Sequence, residues 1–186
     1  MKILIVGGDS KVGKALYAHL VSIKSSIDIS NHTVSTTTRG AVVQKHQRHL
    51  DLLNPMLPAD EDFDLIYLVA AVTGIMACEA DAQNSWRVNA DGPAQLALQA
   101  SRKNIRVGPT YAADKFVHTV FISSDAVESG PKLNYSMQKA YVEGIVLSLG
   151  GSVVRPAWIG PEMDSVVKLL VEVGTKRKPG LHRWSG

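Results

Sequence analysis

Short runs of aliphatic and β-branched residues alternate along this chain with stretches whose apolar positions recur every three or four residues. "KILIV" (2–6) is apolar after its first residue, a pattern suited to a strand buried on both faces. Behind a glycine-bearing turn, "KALYAHLVSI" (14–23) sets Ala15, Leu16, Leu20 and Ile23 at helical spacing. Further strands are predicted at "HTVSTTT" (32–38), "LIYLVAA" (65–71), "HTVFISS" (118–124) and, as the last strand, "GGSVVRPAWIG" (150–160). Helices are predicted over "SWRVNADGPAQLALQASRK" (85–103), from "NYSMQKAYVEG" (134–144) onward, and over "MDSVVKLLVEVG" (163–174). This alternation predicts parallel β-α-β units and therefore an α/β fold, a doubly wound parallel sheet of Rossmann type in a single domain, residues 1–174. Residues 175–186 read as a basic C-terminal tail. No internal repeat or low-complexity linker interrupts the pattern. "NIRVGPTYAADKF" (104–116) is longer than a usual helix-to-strand connection and predicts an inserted loop.

Composition supports an ordinary globule rather than disorder. Of 186 residues, 45% are hydrophobic and 20% charged, and a chain of this length buries a real core. The formal net charge is +3, and Lys176, Arg177, Lys178 and Arg183 gather four positive charges near the C-terminus, leaving the remainder near neutral. A solvated basic end of this kind does not predict nucleic-acid binding. The single cysteine, Cys78, excludes an intrachain disulfide and a cysteine-rich metal site, and no nearby histidine marks it as a nucleophile. The six histidines show no metal spacing: His46 and His49 lie three apart without a third ligand, so no metal is expected. The apolar run of "MKILIVGG" is too short for a signal peptide, and no segment is long and apolar enough to span a bilayer. The expectation is a cytoplasmic protein without membrane contact.

Two places carry chemistry. In "VGGDSKVG" Gly7 ends the first strand and Gly13 falls six residues later, where the first helix begins. A dinucleotide fold needs glycine there because the backbone must approach the pyrophosphate and the helix must pack close to the strand. The helix N-terminus then offers free N–H groups and the positive end of its dipole. At the end of the second strand, where an acidic residue would hold a ribose 2′-hydroxyl, "TTTRG" presents Arg39. A guanidinium can bind a 2′-phosphate bidentately, so NADP is favoured, with NAD as the alternative.

The second place joins "FISSDAV" to "YSMQK". Ser124, at the C-terminal end of a parallel strand, faces the crevice where such folds bind ligands, and Tyr135 and Lys139 lie four apart on one helix face. A serine hydroxyl can hydrogen-bond a substrate carbonyl while a tyrosine delivers the proton. The phenol's ordinary pKa near 10 is too high for ready exchange, and a nearby ammonium is expected to lower it.

These residues resemble the short-chain dehydrogenase/reductase superfamily, extended branch. The motifs are "GGDSKVG", "VAAVTG" (69–74), "RVNADGP" (87–93), "ISSDAV" (122–127), "YSMQK" (135–139) and "VVRPAWIG" (153–160). Within that branch, "TTTR", "VNADGPAQLA" and "SSDAV" look most like dTDP-4-dehydrorhamnose reductase and related sugar-nucleotide reductases and epimerases, over residues 1 to about 170. The resemblance implies Tyr135 as catalytic acid/base, Lys139 as its tuning charge and a ligand of the nicotinamide ribose, Ser124 orienting the carbonyl, and Asn89 stabilising the site from the neighbouring helix. It also implies that Gly7 and Gly13 lie under the pyrophosphate with Ser10, Lys11 and Val12 in the same turn. Asp51 and Leu52 would meet the adenine, and Ala70 and Ala71 would line the dinucleotide.

Ser10 stands where relatives usually carry a middle glycine, and Ala126 where sugar-nucleotide reductases commonly show an aromatic residue. Extended members build their substrate pocket largely from a C-terminal lobe, which "TKRKPGLHRWSG" is too short to form. The leading expectation is an NADP-dependent reductase passing a hydride to a carbonyl, on a sugar nucleotide or small ketone. The alternatives are a non-catalytic NADP(H)-binding regulatory or scaffold protein and an NAD-dependent sugar-nucleotide epimerase or dehydratase. Family members often form homodimers through helices flanking the site, and the same is expected here. Trp86 and Trp158 are expected in packed elements, Trp184 in the tail, and "ADEDFD" (59–64) as a solvated acidic loop.

Overall fold

The computed structural model describes residues 1–23, 32–59, 61–103, 117–128, 133–157 and 163–184. Seven parallel strands form one sheet: β1 (Lys2–Val6), β2 (Thr33–Thr38), β3 (Gln47–His49), β4 (Leu65–Leu68), β5 (His118–Ile122), β6 (Ser152–Pro156) and β7 (Gly180–Trp184). Their order is β3-β2-β1-β4-β5-β6-β7. The chain winds outward from β1 to β3, then restarts at β4 on the other side of β1. Such a reversal opens a crevice at the carboxyl ends of β1 and β4, the place where open α/β sheets bind ligands.

Alternation along each strand divides the core in two. Leu4, Val6, Phe121 and Val153 face α4 (Gly92–Lys103) and α5 (Asn134–Ser148), where they meet Leu96, Ala97, Val142 and Val146. Ile3, Ile5, Val120 and Val154 face α1 (Lys11–Ser22) and α6 (Met163–Thr175), packing on Leu16, Leu20, Val166 and Leu170. Both faces are covered, which is why the strands read as nearly continuous apolar runs.

Several elements differ from the sequence reading. Gly180–Trp184, assigned above to a basic tail, forms β7 and pairs with β6 from Ser152↔Gly180 to Pro156↔Trp184. Trp184 packs against the α1/α6 core, and Arg183 pairs with Glu128 at 2.9 Å. β6 is therefore not the last strand. β3 was not foreseen, nor were two short helices, α2 (Ile75–Ala80) and α3 (Ala82–Trp86).

The long helix expected over 85–103 contains a π-helical turn, Arg87–Asp91, before α4. Directly after that turn, a Cβ on Gly92 would lie 2.7 Å from the Leu52 carbonyl oxygen, so the helix closes on the segment after β3 only with glycine. The inserted loop expected at 104–116 and Trp158 lie outside the described residues. Trp86 is partly buried against the core, with its ring 5.7 Å from that of Tyr141. No helix among the described residues is long and apolar enough to cross a membrane.

Candidate active site

The first turn is shaped by two glycines and a serine. Gly7 has φ +97°, and a Cβ on it would strike Ala70, 2.6 Å from that residue's amide nitrogen. On Gly13 a Cβ would lie 2.2 Å from the Gly7 carbonyl oxygen, so α1 can begin this close to β1 only without a side chain there. Ser10 caps α1: its hydroxyl donates to the Gly7 carbonyl at 2.8 Å and accepts from the Gly13 amide at 3.0 Å. At the position where the family resemblance leads us to expect a glycine, this serine serves as the helix cap. Its backbone carbonyl takes the Lys14 amide at 2.9 Å. The amides of Lys11 and Val12 are left without intrahelical acceptors at the positive end of the helix.

One cavity, about 340 Å³, opens between this turn and the ends of β2, β3 and β4. Gly7, Ser10, Ala70, Ala71, Asp51 and Leu52 are among the residues that line it. Arg39, exposed and directly after β2, stands at its edge and takes part in none of the ion pairs found among the described residues. Asp51 Oδ1 accepts the Leu53 amide at 3.0 Å, holding the corner after β3.

A second cavity, about 700 Å³, adjoins the first at Ser10 and Ala71. It runs from Lys11 and Val12 to Ser124, Tyr135 and Lys139. The structure thus brings the glycine turn and the Ser-Tyr-Lys set to two adjoining cavities at the carboxyl ends of the strands.

Tyr135 is the second residue of α5, and the start of that helix is firmly anchored. Glu79 of α2 accepts both the amide and the side-chain Nδ2 of Asn134, each at 2.7 Å. The Ser136 hydroxyl donates to the Ala126 carbonyl at 3.0 Å, tying α5 to the 3₁₀ turn Asp125–Val127. Ser124 caps that turn, accepting the Ala126 amide at 3.2 Å and donating to Asp125 Oδ1 at 3.1 Å.

Lys139, 3% exposed, donates from Nζ to the Ile122 carbonyl at 2.9 Å, with Nζ 4.7 Å from the centre of the Phe121 ring and 5.7 Å from that of Tyr135. Burial pulls its pKa down to about 8, against the opposing charge of Glu143 one turn later.

The expected lowering of the Tyr135 pKa is not what the structure has. Burial raises it, and the neighbouring Ser124 hydroxyl only partly offsets this. The lysine amine sits over the phenol ring rather than at its hydroxyl, so its charge does little there. The phenol is consequently a proton donor throughout the neutral range.

Asn89 lies in the π-helical turn, 1% exposed, and lines neither cavity. Its Oδ1 accepts the Val72 amide at 2.7 Å and its Nδ2 donates to the Val72 carbonyl at 3.0 Å. The same Nδ2 reaches Gln138 Oε1 at 2.9 Å, and Gln138 in turn donates to the Ser85 hydroxyl at 2.8 Å. Asn89 is therefore placed to fix the loop after β4 against α5, as a positioning residue rather than one that touches a substrate. Cys78 packs in this cluster, fully buried, its thiol pKa raised by burial.

Three groups were missed in the sequence. Glu143 and Arg155 form a bidentate ion pair beneath the site at 2.8 and 2.5 Å, and Arg155 also reaches Glu128 at 3.4 Å. The i, i+4 step from Lys139 to Glu143 on α5 was a readable signal for the first. Ser123, the other serine of "ISS", also lines the larger cavity.

The family model for the RmlD substrate binding domain matches residues 1–179. The chain belongs to that family. No curated protein matches the sequence. Among solved structures, this family member is similar to a dTDP-4-dehydrorhamnose reductase from Yersinia enterocolitica, with a TM-score of 0.74 at 19% identity, covering all of this chain and 75% of that one. It is also similar to the dTDP-4-dehydrorhamnose reductase of Bacillus anthracis in complex with NADP, with a TM-score of 0.70 at 15% identity over 100% of this chain and 74% of that one. MoeE5 in complex with UDP-glucose and NAD gives 0.69 at 13% identity, over 98% and 75%. At these identities the structural likeness concerns the fold.

Proposed function

We propose that this member of the RmlD substrate binding domain family is an NADP-dependent reductase that delivers a hydride to the carbonyl carbon of a sugar nucleotide. The observation that carries this reading is the larger cavity, which is lined both by the Ser10–Val12 turn and by Ser124, Tyr135 and Lys139. The residues fit a phosphorylated dinucleotide. Gly7 and Gly13 permit close backbone approach, the Lys11 and Val12 amides are free to meet a pyrophosphate, and Arg39 stands unpaired at the edge where a ribose 2′-phosphate would lie. Asp51 and Leu52 are assigned to the adenine end, with Ala70 and Ala71 along the middle of the dinucleotide.

The bound nicotinamide supplies the hydride. Tyr135, protonated because burial raises its pKa, gives its proton to the carbonyl oxygen as that oxygen gains charge, and Ser124 holds the same oxygen by a hydrogen bond. The phenolate left on Tyr135 takes up one proton from solvent before the next turnover, and Lys139, charged below about pH 8, lines the same cavity as its positive group. The dTDP-4-dehydrorhamnose reductases among the structural neighbours make a 4-dehydro sugar nucleotide the first substrate to offer. The expected result is NADPH consumption on adding dTDP-4-dehydrorhamnose, with one alcohol formed per NADPH oxidised. Absence of consumption with that compound and with a panel of nucleotide-linked ketosugars would leave the reductase reading without its reaction.

A further inference from the structure

The helix that carries Tyr135 has no cap of its own. Leu133 stands at the N-cap position of α5 with extended backbone, its side chain offers no acceptor, and no acidic residue occupies the first turn. The first amides of a helix lack intrahelical acceptors, which is why serine, threonine, aspartate and asparagine are favoured at that position. Here the acceptor comes from 55 residues away. Glu79 Oε1 takes the Asn134 amide and Oε2 takes Asn134 Nδ2, both at 2.7 Å, so one carboxylate grips the first residue of α5 twice. Its negative charge also suits the positive end of the helix. Glu79 is exposed, yet it does not sit on a loose arm. The adjacent Cys78 is fully buried, its carbonyl takes the Ser85 hydroxyl at 3.2 Å, and Ser85 accepts from Gln138 of α5 at 2.8 Å. Asn134 and Gln138, four apart, therefore both tie α5 to α2 and α3. Tyr135 and Lys139, one residue further in each case, line the larger cavity. Two i, i+4 pairs thus run side by side along α5, one fixing the helix and the other facing the cavity.

We propose that Glu79 is a positioning residue for the reaction: its carboxylate is the N-terminal cap of α5, supplied from α2, and it keeps the first turn wound so that the Tyr135 hydroxyl stays at the cavity. The proposal rests on the reductase reading given above. Tyr135 is the second residue of α5, inside the turn that frays first when a cap is lost. Lys139 lies one turn deeper and is held by the Ile122 carbonyl, so its place does not depend on the cap. Glu79 accordingly acts on proton transfer and not on dinucleotide binding.

The test compares Glu79→Ala with Glu79→Ala carrying Leu133→Ser or Leu133→Asp, either of which returns a cap from within the helix's own chain segment. All are assayed at a temperature where every variant is folded. Glu79→Ala is expected to lower kcat about fivefold, the population shift that one helix cap is worth, with KM and NADPH affinity within about twofold of wild type. Backbone amides of residues 134–137 should exchange with solvent about fivefold faster, and the rescued variants should recover kcat and slow exchange together. Unchanged kcat despite faster exchange, unchanged exchange, or NADPH affinity falling as much as kcat would each overturn the proposal. So would rescued variants that regain slow exchange but not kcat. A wild type that reduces no carbonyl would instead remove the reductase reading, and this proposal with it.

Discussion

Tyr135→Phe lowers kcat for carbonyl reduction by about 10²–10⁴-fold, the usual worth of a positioned general acid. The substitution removes one oxygen and leaves the ring under the Lys139 amine, so α5 and its anchors at Glu79 and Ala126 are untouched. The loss should fall on kcat and kcat/KM together, because the proton is transferred only as the carbonyl oxygen gains charge. The pH profile of the wild type carries a second signature. The phenol stays protonated well above neutrality, whereas Lys139 loses its proton near pH 8. Reduction therefore slows as pH rises through about 8, when the site loses its positive charge before it loses its acid. A phenylalanine variant within threefold of wild type, by steady-state NADPH consumption, would remove Tyr135 from the chemistry.

Glu143→Ala is expected to cost about 3 kcal/mol of folding stability, the lower end of the range for breaking a buried ion pair. Glu143 and Arg155 side chains are 6% and 13% exposed, and their two hydrogen bonds join α5 to β6 directly below the site. Without the carboxylate the guanidinium stays buried and keeps only the longer contact to Glu128, itself half-exposed and shared with Arg183 of β7. That remaining partner is why the lower end of the range applies. The loss has a functional side as well, since the Glu143 charge favours the protonated form of Lys139 one helical turn away. Urea unfolding reads the effect. A change under about 1 kcal/mol, as for exposed pairs, would mean the pair is solvated and holds nothing together.

Where side chains are buried on both faces, the sequence was transparent: β1, β4 and β5 appear as apolar runs and α1 by its period. β3 is invisible because "QRH" buries little and sits at one sheet edge. β7 is disguised by composition. "GLHRW" alternates between partly buried and exposed positions at the opposite edge, and its charges suggested a solvated end. The π-helical turn at Arg87–Asp91 leaves no local pattern, and neither does the close approach of the adjacent Gly92 to Leu52.

The site divides in the same way. Tyr135 and Lys139 were legible because helix geometry fixes what four residues mean. Spacing could not tell that the amine would lie over the ring at 5.7 Å from its centre rather than beside the hydroxyl, so the direction of the tyrosine shift was misjudged. Ser10 departs from the expected glycine pattern, and its cap on the Gly13 amide depends on a backbone geometry that the sequence does not display. Nothing in "ISS" distinguishes Ser124, which caps the turn after β5, from Ser123, whose buried hydroxyl has no hydrogen-bond partner.

The most direct measurement is a titration of the protein with NADPH and with NADH, followed by nicotinamide fluorescence. Saturable binding is expected for NADPH, at least about tenfold tighter than for NADH. That ratio is the worth of one charged hydrogen bond from Arg39 to the 2′-phosphate. Equal affinities would contradict the role given to Arg39. Binding of neither would contradict the account as a whole, because every residue assigned a part in the chemistry lines one of two adjoining cavities whose ligand would then be absent.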